Sequence, residues 1–532
     1  MKHSTIIHSL LLSLALAGPA CAGGARVTSM PTAAAATGAE QTQSPAITVQ
    51  SFTAVEGADL TARLEAARAR ARSGQTPFWS AYAFDVRPGI AVDPGIHEFH
   101  GSMNTTGDTS VFVGTTASGM TVETRNLAIF LLRDAGGNQV TRIEVYNLER
   151  KREYGGYPVY WMGRANNEES LNYLRAISEA APLNMLGERA VLAISLHDDA
   201  RVAAMLKNFI RSSQSQRIRS SSIYWLGQIG GEQTFLSDIV RNDAEDKKTR
   251  RQSAHAIGES RDRGALTTLQ GLYDTIKDFE VRRSIIQAAG NSQEQEAAFA
   301  FLLRVAKSDP ERDSRRTAVR LLGQFERYNA VEELMKIYSG DNDVEVRRAV
   351  LQALAETKSA KGQARLLELA RTDPNPELRR QAIHRLADRG ESVVEDMIKL
   401  YDGERVPEVR RTVLQALSEI KGTRVEDKLF EVARDEPNVE LRRQAIRLLG
   451  ERAGRRSFDF LSATAQSADG NTEVQIQAVR AISERQADES VPLLIKIART
   501  HPNQLVRKQA IRSLGQSGDP RAVEFFREVL TK

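Results

Sequence analysis

Two groups of side chains in this sequence have types and spacings that could do chemistry. The first is His97-Glu98 with His100, a His-x-x-His spacing that brings two imidazoles within reach of one metal ion. A metal centre needs further ligands at defined positions, and no such set follows, so these read as ordinary loop or strand residues. The second group is larger. Arginines recur in pairs, as in Arg347-Arg348, Arg379-Arg380 and Arg442-Arg443, and a further polar position lies four residues past the second of each pair. A guanidinium keeps its charge and meets a carboxylate or phosphate through two parallel hydrogen bonds, so such columns suit anion recognition rather than bond-making. Neither a Ser, His and Asp constellation nor a phosphate-cradling glycine loop is evident. The sequence assigns no catalytic residue, no metal and no cofactor.

The arginines are positioned by a repeat. One short apolar pattern is anchored at Ile218, Thr249, Val281, Ser314, Val346, Leu378, Val409, Leu441, Val474 and Val506, ten copies at intervals of 31 to 33 residues. A degenerate copy stands around Ala190 to Leu196. Within a copy the anchor and the residues four, five and eight further on are apolar, as in Leu441, Ala445, Ile446 and Leu449. At about 100° per residue these fall in one broad helical stripe, which predicts a buried inner helix. Each is preceded by a second amphipathic stretch, such as Gln363 to Ala370, and a turn such as Thr372-Asp373-Pro374-Asn375-Pro376. Two helices and a turn make a unit that cannot bury its stripe without neighbours, so the units must stack.

The first arginine of each pair lies inside the apolar stripe, where a charge needs a partner. Asp309, Asp341 and Asp373 stand six residues before Arg315, Arg347 and Arg379 and are the expected partners. The second arginine and the polar column beyond it point away from the stripe. They form a basic strip containing Arg316 and Arg320, Arg348, Arg380 and His384, Arg443 and Arg447, Arg480, and Lys508 and Arg512, the candidate partner-binding residues. His255 and His384 occupy the same column as Gln and Arg elsewhere, so they read as surface members. Glu280, Glu345, Glu377, Glu408 and Glu440 precede an outward arginine by three residues, a spacing that allows local neutralisation. The stretch Arg480 to Arg512 is the most basic and least compensated.

The motif Asp373-Pro374-Asn375-Pro376-Glu377-Leu378-Arg379-Arg380-Gln381-Ala382 and its relatives resemble the HEAT-repeat family, particularly the bacterial kind named for its likeness to phycobilisome bilin lyases. The resemblance spans some 340 residues and implies a mainly α fold, an α-α superhelix. It implies that the Asp and Arg column ties neighbouring units together and that the basic strip lines the concave face. For activity it is nearly silent, because the family holds scaffolds, lyases and a few metalloenzymes. Its deoxyhypusine hydroxylases carry repeated His-Glu pairs on inner helices for two iron ions, and this chain lacks those pairs. Nothing beyond the repeat points to a pigment.

Totals and termini complete the picture. A composition of 41% hydrophobic and 27% charged residues supplies an extended core and argues against disorder throughout. A net charge of +5 from 73 basic and 68 acidic residues argues only weakly for an anionic partner. Lys2, the apolar run Ile6 to Ala17 and Ala20-Cys21-Ala22 read as a signal peptide over residues 1–22, cleaved after Ala22. That cleavage removes Cys21, the only cysteine. Its retention as a lipid anchor is the less favoured reading, because Gly18-Pro19-Ala20 matches a lipoprotein lead poorly. Residues 23–46, rich in Ala, Thr, Gly, Ser and Pro, read as a flexible tether. Residues 47–164 read as a small α+β domain, with a helix over Ala58 to Arg72, a strand over Phe78 to Val86, and a hairpin of Leu127 to Leu132 and Val140 to Leu148. Residues 165–532 form the solenoid.

The expected function is a non-catalytic scaffold or adaptor, periplasmic or secreted, whose concave face receives a protein with an acidic segment. Lyase or oxidoreductase activity of the HEAT-like enzymes is the alternative. A nucleic acid would also suit a basic face, but export argues against it.

Overall fold

A computed structural model of the chain describes residues 52–531, apart from 73, 94–98, 107–108, 117–122, 181–184, 261, 326–327, 453 and 468–469. The leader with Cys21, the tether, and His97 with Glu98 lie outside the described residues.

The N-terminal region is built around a five-stranded sheet of order β1-β8-β2-β6-β7, formed by β1 (Thr53–Ala54), β8 (Val159–Arg164), β2 (Phe78–Ala83), β6 (Leu127–Arg133) and β7 (Val140–Asn147). The β6 and β7 hairpin turns where Asp134 accepts the backbone N–H groups of Asn138 and Gln139 at 2.7 and 3.1 Å. Gly137 has φ +69° there, and a Cβ on it would meet Arg68 at 2.7 Å. The strand over Phe78 is shorter than its aromatic run, because the chain leaves the sheet at Phe84 to reach the solenoid. The sequence did not foresee the second sheet, β3-β5-β4, made of β3 (Ile90–Val92), β5 (Thr109–Thr116) and β4 (Phe99–Thr106). Its Gly, Ser and Thr content hides the alternation that marks a strand.

One face of the large sheet, with Tyr82, Phe84, Ile129, Leu131 and Val145, packs on α1 (Leu60–Ala71), α2 (Asn167–Ala180) and α3 (Met185–Ser195), in a core that continues into the repeats. The other face holds Trp79, Phe130 and Tyr146, covered by Phe52, Tyr154 and Trp161. Polar contacts fix the junction. Asp198 donates its backbone N–H to Asp85 O at 2.8 Å and Arg87 to Leu196 O at 2.9 Å. Arg189 of α3 is ion-paired with the buried Glu144 of β7. Removing bulk or charge from this seam would therefore uncover the first repeat's apolar flank.

From α2 to the helix Gln504–Ser517 the helices pair into eleven units among the described residues, followed by one further helix, Pro520–Leu530. The periodic apolar positions are buried as their spacing requires, with Leu441, Ala445, Ile446 and Leu449 all at 1% exposure or less. Asp or Asn caps start most inner helices: the Asn375 side chain accepts from Glu377 N, and Asn438 from Glu440 and Leu441 N. Successive inner helices approach closely through a column of small residues nine past the anchor. A Cβ on Gly227 would lie 2.7 Å from Ala256 O, and one on Gly323 2.6 Å from Ala353 O. That close approach sets the stacking register, and the register decides which charges meet across repeats.

Candidate functional site

The two arginine columns have separate surroundings. In several repeats the first arginine of the pair bridges to the turn acid of the following repeat. Arg282 meets Asp309 at 2.6 Å, Arg315 meets Asp341 at 2.7 Å, and Arg379 and Arg410 hold Glu404 and Glu436 in two-point contacts of 2.8 and 3.1 Å and of 2.9 and 2.5 Å. This corrects the expected pairing with the aspartate six residues earlier. That residue instead accepts through its carbonyl: Arg315 donates to Asp309 O at 3.0 Å, Arg347 to Asp341 O at 2.8 Å and Arg379 to Asp373 O at 2.9 Å. The reason is geometric. A side chain in the first helical turn leans back toward the N-terminus and reaches its own turn's carbonyls, while stacking brings the next turn's carboxylate alongside.

The turn acids are satisfied from both sides. Asp309 accepts Glu311 N at 2.9 Å with one oxygen and Arg282 with the other. Tyr338 donates to Asp373 at 2.6 Å and Tyr401 to Glu436 at 2.9 Å, and Arg410 lies 4.2 Å from the Tyr401 ring centroid. Burial and the bonded Asp309 carboxylate push the Tyr273 hydroxyl up to about 12. Burial is the largest single influence on Glu404 and works against its ionisation, yet the Arg379 hydrogen bond and charge, together with the backbone N–H groups of Val406 and Arg405, outweigh it and hold the carboxyl below its usual range. These groups join one repeat to the next.

The second column faces solvent. Through the middle of the solenoid several of its cations are engaged locally. Arg316 lies 3.5 Å from Asp313, Arg348 is 2.7 Å from Glu345 and 3.8 Å from Glu377, and Arg380 is 3.1 Å from Glu377. Arg443 is 2.7 Å from Glu440 and 3.5 Å from Glu473, and Arg447 is ion-paired with Glu451. Arg320 is half-buried and forms no ion pair among the described residues, and His384 is exposed. Burial, then the charge of Arg251, lowers the pKa of His255. The remaining members differ. Arg480, Lys508 and Arg512 are exposed and have no ion pair or hydrogen bond from their side chains among the described residues. Arg480 and Arg512 line one open cleft of about 440 Å³ between the helices Thr472–Ser483 and Gln504–Ser517, together with Glu484, Gln509 and Gln516.

The sequence matches the family described as HEAT repeats over residues 233–314, 299–387, 363–450 and 459–532, more than half of the chain. The chain belongs to the HEAT-repeat family. No curated protein matches it. Among solved structures, a Kap121p mutant is 12% identical over 68% of this chain and 47% of its own, with a TM-score of 0.39. Human deoxyhypusine hydroxylase in complex with glycerol is 17% identical over 54% of this chain and 96% of its own, with a TM-score of 0.22. The complex of CpcE and CpcF of phycocyanin lyase from Nostoc sp. PCC7120 is 17% identical over 43% and 92%, with a TM-score of 0.24. This chain spans about half the length of Kap121p.

In this HEAT solenoid the strip runs as one column along the inner helices, and at its C-terminal end Arg480 and Arg512 combine open charge with a concavity. Among the described residues, no group of three or more His, Cys, Asp or Glu is placed to hold a metal ion. No described helix is long and apolar enough to cross a membrane. The cleft residues Gln509, Gln516 and Glu484 were not singled out by the sequence. Their signal lies in column alignment, at positions three and ten past the anchor.

Proposed function

We propose that this HEAT-repeat protein is a non-catalytic, protein-binding scaffold of the cell envelope, whose inner-helix face receives an acidic segment of another protein. The observation that carries the reading is the pair of unengaged guanidinium groups, Arg480 and Arg512, on adjacent inner helices that line one cleft. Affinity on such a face comes from the sum of many modest contacts, with the unneutralised end contributing the strongest. The apolar run Ile6 to Ala17 ahead of Ala20-Cys21-Ala22 supports export, which would put the partner in the same compartment.

Affinity capture of the mature protein from its own envelope extract tests this. The control is a variant with Arg348, Arg380, Arg443, Arg480 and Arg512 all changed to Glu. Wild type is expected to enrich a protein that the variant loses, while the two melt within a few degrees of each other because these side chains face solvent. Identical enrichment by both, or none by either, contradicts the reading.

A further inference from the structure

The last repeat differs from the others in a way that bears on what its cleft can hold. In the repeats anchored at Val346, Leu378, Val409 and Leu441 two acidic columns flank the strip. One directly precedes the anchor, where Glu345, Glu377 and Glu440 pair with Arg348, Arg380 and Arg443. The other lies ten past the anchor, where Glu451 pairs with Arg447. In the helix Gln504–Ser517 the first of these positions is Leu505, 58% exposed, and the second is Gln516. This helix contains Arg507, Lys508 and Arg512 and no carboxylate. Arg507 is engaged, donating to His501 O at 2.7 Å and Pro502 O at 2.9 Å. Lys508 and Arg512 are left open, and Leu505, Lys508 and Arg512 fall on one stripe at spacings of three and four. Across the cleft, Glu484 lies one turn past Arg480 but makes no ion pair with it among the described residues.

We infer that the cleft between Thr472–Ser483 and Gln504–Ser517 is an anchoring subsite for an acidic peptide segment that carries an apolar side chain, with its carboxylates at Arg480 and Arg512 and the apolar group on Leu505. This rests on the scaffold reading above and names the chemistry of its strongest contact. Two guanidinium groups lining one open cleft can engage neighbouring carboxylates of a single segment at once, each through charge-assisted hydrogen bonds. A nucleic acid fits less well. It needs a long phosphate track, whereas the strip beyond Arg447 toward the N-terminus is interleaved with glutamates, and the exposed Leu505 offers a phosphate nothing.

Fluorescence anisotropy on the full mature chain tests the inference, with a labelled peptide of three Glu-Glu-Leu-Glu units as probe. Wild type is expected to bind it, more weakly as salt rises from about 50 to about 500 mM. Arg480→Ala and Arg512→Ala should each weaken binding about tenfold. Leu505→Ser should weaken it less, and the peptide with Gln for Glu should not bind. Arg424→Ala, on an outer helix, should leave it unchanged. Undiminished binding by the Arg480→Ala, Arg512→Ala double variant overturns the inference, as does absence of binding by wild type or stronger binding of a dodecathymidine strand. If Arg348→Ala with Arg380→Ala abolishes binding while the cleft variants keep it, the subsite fails and the scaffold reading stands. If envelope capture also retains nothing, both fail.

Discussion

Replacing Arg379 by alanine is expected to lower the unfolding free energy by about 3 to 5 kcal/mol, although this side chain is not among those lining the cleft of Arg480 and Arg512. Arg379 and Glu404 have side chains only 10% and 6% exposed, and their two-point contact joins consecutive repeats. Truncation removes the partner of a desolvated carboxylate and frees the Asp373 carbonyl as well. The greater part of the cost is the stranded charge, so the double variant Arg379→Met, Glu404→Leu should recover most of it. Because each unit touches only its neighbours, the loss should also divide the solenoid into two less cooperative halves and broaden the transition. Denaturant unfolding followed by circular dichroism reads both effects. A single variant within about 0.5 kcal/mol of wild type would mean that the Arg and acid column does not hold the stack together.

The second large effect is acid sensitivity centred on His197, at the seam between sheet and solenoid. The ring is 1% exposed and stacks on Phe84 at 4.4 Å. Nδ1 lies 2.8 Å from Ala193 O, an acceptor only, so Nδ1 carries the proton and Nε2 accepts from the Ser170 hydroxyl, also at 2.8 Å. Ser170 in turn takes the Tyr82 proton across 3.0 Å. Burial lowers the His197 pKa from 6.5 to about 4, although the carbonyls of Ala193 and Ile194 and the charges of Asp199 and Asp85 pull the other way. The folded state therefore keeps the ring neutral where the unfolded chain already binds a proton. Stability from this group is complete above pH 6.5, falls as pH drops toward 4, and changes no further below that. The gap between 6.5 and about 4 corresponds to about 3 kcal/mol. His197→Gln removes the proton uptake, so the stability difference between wild type and variant should shift by about that amount between pH 7 and pH 4. A difference that stays constant over this range would show that His197 titrates normally in the folded chain.

The inner helices were legible because ten copies of one stripe reinforce each other, and Leu441, Ala445, Ile446 and Leu449 sit where their spacing puts them. The β6 and β7 hairpin was legible from Asp134 to Asn138, whose types suit a turn. What stayed hidden depends on register between distant segments. Arg315 was expected to use Asp309, six residues away, but its carboxylate is Asp341, brought alongside by the stacking of small residues such as Gly323 on Ala353. Arg442 carries the same expectation, yet it has no ion pair among the described residues. Arg507, first of its basic pair, serves the turn at His501. The place of the strand Val159–Arg164 between β1 and β2 has no local signal, since it pairs with a strand some eighty residues earlier. The open end of the strip was foreseen at Arg480 to Arg512. The reason for it, Leu505 and Gln516 standing where the repeats anchored at Val346 to Leu441 carry acids, emerges only once the columns are superposed.

The division of the arginines into a column that joins repeats and a column that meets a partner is the centre of the account. Phenylglyoxal footprinting of the folded chain, read by peptide mass spectrometry, tests it most directly. Arg480 and Arg512 are expected to be modified rapidly, Arg348, Arg380 and Arg443 at intermediate rates because glutamates engage them, and Arg282, Arg379 and Arg410 only on unfolding. Modification of Arg379 and Arg410 as fast as Arg480 and Arg512 would contradict the division.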